Sequence, residues 1–206
     1  MSITVFLDKD GTLLEDVPYN VDPERIRLAP SADRALRILA EHDCDVVVVS
    51  NQSGVARGLF RESALEAVRE HISSLCAGLH VHLAGFYYCP HLPDGDVPEY
   101  AIECDCRKPA DGMLRRAAED LGLSLEDAWM VGDILDDIEA GNHAGCRTVL
   151  IDNGNETEWR LPARRWPSVV VRDLESAARV IVGEVEVVPP SHSLAHRVED
   201  GARSVA

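Results

Sequence analysis

FLDKDGTLLED (residues 6–16) closes an apolar run with Asp8 and Asp10, then turns through Gly11 and Thr12. Carboxylates at i and i+2 lie on one side of an extended chain. The stretch therefore reads either as a strand running out into an ordinary Asp-Gly turn or as half of a metal and phosphate site. The choice depends on what the other strands end in.

Apolar, β-branched runs recur at ITVFL (3–7), DVVVVS (45–50), GFYYC (85–89), AWMV (128–131), RTVLI (147–151) and SVVV (168–171). Most are continuous rather than alternating, as strands buried on both faces are. Helical periodicity separates them. Ala32, Ala35, Leu36 and Leu39 share a face in 31–42. Leu65, Val68, Ile72, Leu75 and Leu79 do so in 62–79. Leu114, Ala117, Ala118 and Leu121 do so in 110–122, with Gly122 as a stop. Alternating strands and helices predict an α/β fold, a parallel sheet with helices on both faces. There is no internal repeat. One domain is expected over 1–183, followed by a peripheral tail over 184–206 that carries Pro189 and Pro190.

The chain has 206 residues, 46% hydrophobic, enough for one domain with a sizeable core. Its formal charge is −16, from 20 basic and 36 acidic side chains. That argues against nucleic acid or an anionic membrane as the main partner, but not against a small anionic ligand held by local cations and amides. No apolar run reaches membrane-spanning length and no signal-peptide pattern is present, so a cytoplasmic location with reduced thiols is expected. No exposed apolar stripe stands out, and a monomer is expected.

In open α/β sheets, ligands sit beyond the carboxyl ends of the strands. There the sequence supplies Asp8, Asp10, Gly11 and Thr12 after the first strand and Ser50, Asn51, Gln52, Ser53 and Gly54 after the second. It supplies CRKPADG (106–112) at the end of the long loop after the third, and Gly132, Asp133, Asp136 and Asp137 after the fourth. Taken singly, each has an ordinary explanation. Asp-Gly is turn chemistry, Ser-Asn a common loop pair, Lys108 a solvated lysine and Asp133 a helix N-cap. In order, and all at one sheet edge, they make a phosphoryl-transfer site. Asp8 is placed to attack phosphorus, and Asp10 to protonate the leaving alkoxide and then activate water. Asp8, Asp133, the Asp10 carbonyl and Asp137 are the candidate Mg²⁺ ligands. Lys108 and Ser50 are candidates to neutralise and hydrogen-bond the phosphoryl oxygens. Gly11 and Gly54 allow close backbone approach. Asp136 reads as a solvated residue of a helix's first turn.

YYCPHLPDGDVPEYAIECDCRKP (87–109) holds Cys89, His91, Cys104 and Cys106. Three thiolates and one imidazole complete a tetrahedral zinc site with no open position, so this metal is structural. It would clamp a long loop and fix Arg107 and Lys108 beside it. Cys44, Cys76 and Cys146 read as small core residues.

DKDGT, the Ser50 end of VVVVSN, Lys108 and GDILDD resemble, in order, the four motifs of the haloacid dehalogenase superfamily over about residues 1–180. The resemblance implies a Mg²⁺-dependent phosphohydrolase on a Rossmann-like sheet that works through an aspartyl-phosphate. The absence of large insertions resembles the branch without a cap domain. The zinc loop is similar to that of two groups, the heptose bisphosphate phosphatases and the histidinol-phosphate phosphatases. NQSGVARG (51–58), YYCPH and CDCRKP are similar to the heptose group. That implies removal of the 7-phosphate of D-glycero-D-manno-heptose 1,7-bisphosphate on the route to activated heptose for lipopolysaccharide or another surface glycan. Substrate contacts would fall on Asp16, Tyr19, Asn51, Gln52, Ser53 and Arg107, with Arg57 either a further contact or a solvated arginine. One position departs from the pattern: Ile134 stands where the heptose enzymes carry a lysine. A sugar-phosphate-binding protein without turnover is the rival of another class, and retention of Asp8, Asp10, Ser50, Lys108 and Asp133 speaks against it.

Overall fold

The computed structural model describes residues 2–186; the remainder of the tail expected over 184–206 lies outside them. The strands β1 (Thr4–Leu7), β2 (Asp45–Asn51), β3 (Leu83–Cys89), β4 (Trp129–Gly132), β5 (Arg147–Ile151) and β6 (Val169–Val171) form one parallel sheet in the order β3-β2-β1-β4-β5-β6. The helices are α1 (Ala32–Glu41), α2 (Ala64–Gly78), α3 (Gly112–Leu121), α4 (Leu135–Ala144) and α5 (Leu174–Ile181). The strands match the apolar runs to within two residues, and α3 ends at Gly122 as expected. α4 and α5 lie outside the three helical stretches read from periodicity.

The continuous valine runs are explained by parity. Val5, Leu7, Val46, Val48 and Val131 face a core closed by α1, α2 and α5, whereas Phe6, Val47, Val49 and Met130 face one closed by α3 and α4. Each strand residue finds apolar neighbours whichever way it points, so polar alternation would cost burial on one side. The edge strands β3 and β6 are the exceptions, half-buried along most of their length. α5 docks on α1, and an Arg34–Glu175 ion pair bridges the two helices at their exposed edge.

β1 is central, and the chain leaves it in one direction to β2 and β3 and returns on its other side as β4. Leu7 is in register with Val48 on one side and Val131 on the other. β1 and β4 therefore end within one residue of each other while β2 runs on to Asn51, and the reversal of strand order opens a crevice between β1 and β4. Asp8 and Asp133 follow those two strands. No helix among the described residues is long and apolar enough to cross a membrane.

Candidate active site

Asp8 leaves β1 with its N–H donated to the Val131 carbonyl at 2.9 Å, which ties the first motif to β4. Its carboxylate is buried beside that of Asp133 and that of Asp137, with ligand oxygens of all three within 4.8 Å of one another. Two glycines make this crowding possible. Gly11 has φ +83°, and a Cβ there would lie 2.1 Å from Asp133 Oδ2; a Cβ on Gly132 would lie 2.2 Å from Asp137 Oδ2. An alanine at either position would push a carboxylate away.

Lys108 enters this cluster from the loop after β3. Only 2% of it is exposed, which excludes the ordinary alternative of a solvated lysine. Its Nζ lies 2.5 Å from Asp8 Oδ1 and 2.6 Å from Asp137 Oδ1 and donates to the Val49 carbonyl at 3.1 Å. The contact to Asp137 is an ion pair outside hydrogen-bond geometry, and Asp137 Oδ1 has no hydrogen-bond partner. Burial alone would lower the Lys108 pKa, but Asp137 and Asp8 together raise it, so the ammonium is fixed. Burial pushes Asp8 up to about 7 against the pull of Lys108, and Asp137 adds to the rise. Burial first and Asp8 second raise Asp133 to about 6, and burial also raises Asp137. Three buried carboxylates face one ammonium, an excess of negative charge that a divalent cation matches. The donor set, all oxygen, suits Mg²⁺.

Asp10 is gripped on both oxygens, by Lys9 Nζ at 2.6 Å and by Gln52 Nε2 at 3.2 Å. Gln52 also donates to Ser50 Oγ at 2.7 Å. Asn51 holds the backbone of Lys108 at both ends, donating to its carbonyl and accepting from its N–H, each at 3.0 Å. A cavity of about 230 Å³ is lined by Asp8, Asp10, Ser50, Lys108, Asp133 and Ile134, among others. It adjoins a second of about 260 Å³ lined by Asp16, Tyr19, Gln52 and Ser53, and the two share Asp10, Asp16 and Asn51.

The sulfur atoms of Cys89, Cys104 and Cys106 lie 3.0–3.5 Å apart, and His91 Nδ1 is 3.3 Å from Cys106 and 3.7 Å from Cys89. Tetrahedral donors about 2.3 Å from zinc are separated by roughly 3.8 Å. The cluster is thus slightly contracted from, and compatible with, a structural zinc site. Its hydrogen bonds, that to Cys89 first, hold the Cys106 thiol down at about 5. The loop is docked independently by Tyr100, whose hydroxyl donates to Glu62 at 2.8 Å, beside the bond at 3.0 Å from Tyr88 of β3 to the same carboxylate.

A model of HAD-hydrolase-like proteins matches residues 105–177. The D-glycero-β-D-manno-heptose-1,7-bisphosphate 7-phosphatase of Salmonella typhi is 38% identical over 177 residues, 85% of this chain and 94% of that protein. The protein of the same name from Haemophilus ducreyi is 41% identical over 152 residues, 73% and 83% of the two chains. The D,D-heptose 1,7-bisphosphate phosphatase of B. bronchiseptica, solved with magnesium and phosphate, superposes with a TM-score of 0.72 at 30% identity, covering 89% of this chain and 99% of that one. The chain belongs to the haloacid dehalogenase family of phosphatases.

For a phosphatase of this family, the predicted site residues divide into those the fold gathers and those it does not. Asp8, Asp10, Ser50, Lys108, Asp133 and Asp137 surround one point. Asp16, Tyr19, Gln52 and Ser53 line the adjoining cavity, while Asn51 spends its amide on Lys108. Arg107 is half-buried and donates to the His91 carbonyl at 3.3 Å, Arg57 is exposed, and neither arginine lines either cavity. Two expectations need correction. Asp136 is not simply solvated, since it pairs with Arg165 at 2.7 Å. The ordinary alternative for Asp133, a helix cap, is excluded, since the N-cap of α4 is Ile134. Cys44 is half-buried rather than core, unlike Cys76 and Cys146. Gly54 is required by packing on Phe60, which a Cβ would approach to 2.2 Å. Lys9 and Thr12, inside DKDGT, and Asn153 and Asn155, which no motif marks, also touch the site.

Proposed function

We propose that this phosphatase removes the 7-phosphate of D-glycero-β-D-manno-heptose 1,7-bisphosphate, as a cytoplasmic monomer acting in the supply of activated heptose for lipopolysaccharide or another surface glycan. The observation that carries this reading is the 38% identity across 94% of the Salmonella relative, supported by Asp8, Asp10, Ser50, Lys108 and Asp133 lining one cavity, in which Ile134 takes the place of the heptose enzymes' lysine. The charge of −16 supports a small substrate over nucleic acid.

Asp8 attacks phosphorus as a carboxylate and forms the aspartyl-phosphate, and the sugar oxygen leaves with its bonding electrons. Asp10 gives that oxygen a proton. It then takes one from a water that attacks the same phosphorus, which releases inorganic phosphate and restores Asp8. Gln52 donates to Ser50 Oγ, so the Ser50 hydroxyl hydrogen is free for a phosphoryl oxygen. Lys108 offsets the charge that builds on the transferring group, and Asp137 fixes Lys108 through its ion pair. Asp8 and Asp133, with the Asp10 carbonyl and Asp137 beside them, would hold Mg²⁺. When bound, that ion neutralises the phosphate dianion and draws it toward the nucleophile. The cavity bounded by Asp16, Tyr19, Gln52 and Ser53 receives the heptose, and the Arg107 fork suits the phosphate that does not react.

The test is phosphate release with Mg²⁺ from both anomers of heptose 1,7-bisphosphate and from histidinol phosphate. The β anomer is expected to lead in kcat/KM by about 100-fold, or roughly 2.7 kcal/mol of transition-state preference. Equal, feeble rates on all three would refute the substrate while leaving the phosphatase chemistry in place.

A further inference from the structure

The loop after β5, DNGNETEW (152–159), reads as a polar turn, yet it sends two amides to the carboxylate that ends β4. Asn155 Nδ2 donates to Asp133 Oδ2 at 2.6 Å. Asn153 Nδ2 donates to the Gly11 carbonyl at 2.8 Å and reaches the same Asp133 oxygen at 3.5 Å. The Asn155 N–H donates to Asn153 Oδ1 at 3.1 Å, so the two side chains order each other. The next residue completes the clamp. Glu156 Oε2 accepts from the Leu135 N–H at 2.7 Å, at the helix start that Ile134 leaves without a side-chain cap. One loop thus joins the turn after β1, the Asp133 carboxylate and the first turn of α4.

Amide donors suit this position. They stabilise a buried anion without bringing charge that would compete with a cation. They also occupy one side of Oδ2, which fixes the rotation of a carboxylate whose other oxygen has only a long 3.4 Å contact from Thr12 Oγ1. A small hard cation with strict octahedral demands gains most from a ligand held still, whereas a larger cation with flexible coordination gains less.

Building on the assignment of Asp133 as a Mg²⁺ ligand, we propose that Asn155, backed by Asn153, is a positioning residue of the metal site. By fixing the Asp133 carboxylate it sets the affinity for Mg²⁺ and the preference for Mg²⁺ over Ca²⁺. It acts through Asp133 and takes no part in the bond changes at phosphorus.

The test uses full-length protein dialysed free of Mg²⁺ with zinc left in place. Mn²⁺ binding is followed by electron paramagnetic resonance without substrate, with Mg²⁺ and Ca²⁺ as competitors. Asn155→Leu should weaken Mg²⁺ about 10-fold or more and Ca²⁺ distinctly less. Asn155→Ser, which keeps a short donor, should fall between that variant and the wild type. At saturating Mg²⁺, phosphatase turnover of Asn155→Leu should return to within about threefold of wild type. Unchanged Mg²⁺ affinity, or equal losses for the two cations, overturns the proposal, and Asn155→Ser is judged by the same criterion where Asn155→Leu does not fold. Because the binding assay contains no substrate, a wrong heptose assignment leaves its result intact, whereas wild-type protein that binds no Mn²⁺ defeats the inference itself.

Discussion

Replacing Lys108 by Met keeps an unbranched stem of similar size in its slot and removes only the ammonium. In the fold that ammonium stands 2.5 Å from Asp8 and 2.6 Å from Asp137, with 2% of the residue exposed. Removing one partner from a buried ion pair costs about 3–5 kcal/mol, because the other charge stays buried and uncompensated. For a chain of this length each kcal/mol moves Tm by roughly 2–4 °C, so metal-free Lys108→Met should melt roughly 6–20 °C below wild type. Asp137→Asn supplies the control. It preserves the shape at a site where Gly132 leaves no spare room, and it removes one of the carboxylates that Lys108 offsets. In the double variant the excess charge is smaller, so the two losses should fall short of additive by about 1–3 kcal/mol. Urea unfolding of the four proteins in chelator-free buffer, with zinc content checked, gives the cycle directly. A Lys108→Met variant within about 1 kcal/mol of wild type, or strict additivity, would refute the reasoning. Lys108 would then not be the counter-charge that makes three adjacent buried carboxylates tolerable.

Three further outcomes are expected. Asp8→Asn should lose about 10⁴-fold or more in kcat while still folding and retaining its zinc, as measured by phosphate release beside a melting curve; substantial residual turnover would deny the nucleophile. In the metal-free protein, folding favours the protonated forms of Asp8 and Asp133, which are raised to about 7 and about 6. Their stabilising contribution is complete below about pH 4 and is lost as pH rises through 6–7. Mg²⁺ should therefore raise Tm more at pH 8 than at pH 5, and equal shifts at the two values would contradict the burial of these groups. Cys104→Ser should bind less than about one zinc per chain and lose turnover along with stability, because the loop that delivers Arg107 and Lys108 is no longer clamped. Full activity in a zinc-depleted variant would separate the clamp from the site.

How much was legible in the sequence follows from how local each cause is. The strands were legible because burial on both sheet faces demands continuous β-branched runs such as DVVVVS, a demand each segment meets by itself. Asp8, Asp10, Ser50 and Asp133 were legible because chemistry in this architecture gathers at strand ends. The zinc cluster was legible because its ligands lie within one loop. The burial of Lys108 was not, since it depends on Asn51 gripping its backbone from β2 and on two carboxylates, Asp8 just after β1 and Asp137 in α4. Asn51 and Gln52 were read as substrate contacts. Both line the site's cavities, and their side chains also bond to Lys108, Ser50 and Asp10, a division of labour visible only once β2 lies beside β1. Asn153, Asn155 and Glu156 carry no motif, because their roles arise from the return path of a polar loop over the end of β4. Arg57, open in the sequence between a contact and a solvated arginine, is exposed and lines neither cavity.

The charge arithmetic explains why an acidic protein can bind a phosphate dianion at all. The chain carries −16 overall, and at the site itself the four carboxylates of Asp8, Asp10, Asp133 and Asp137 outnumber the two ammoniums of Lys9 and Lys108. Such a pocket repels phosphate until a divalent cation brings the local sum near neutral. Lys108 cannot do this alone, because both of its close anionic contacts are already to Asp8 and Asp137. Metal and substrate affinity are then linked, each raising the other by the same factor, as thermodynamic reciprocity requires. The neutral amides of Asn153 and Asn155 fit that scheme. A lysine or arginine in their place would steady Asp133 equally well, but it would cancel the charge that draws the cation in.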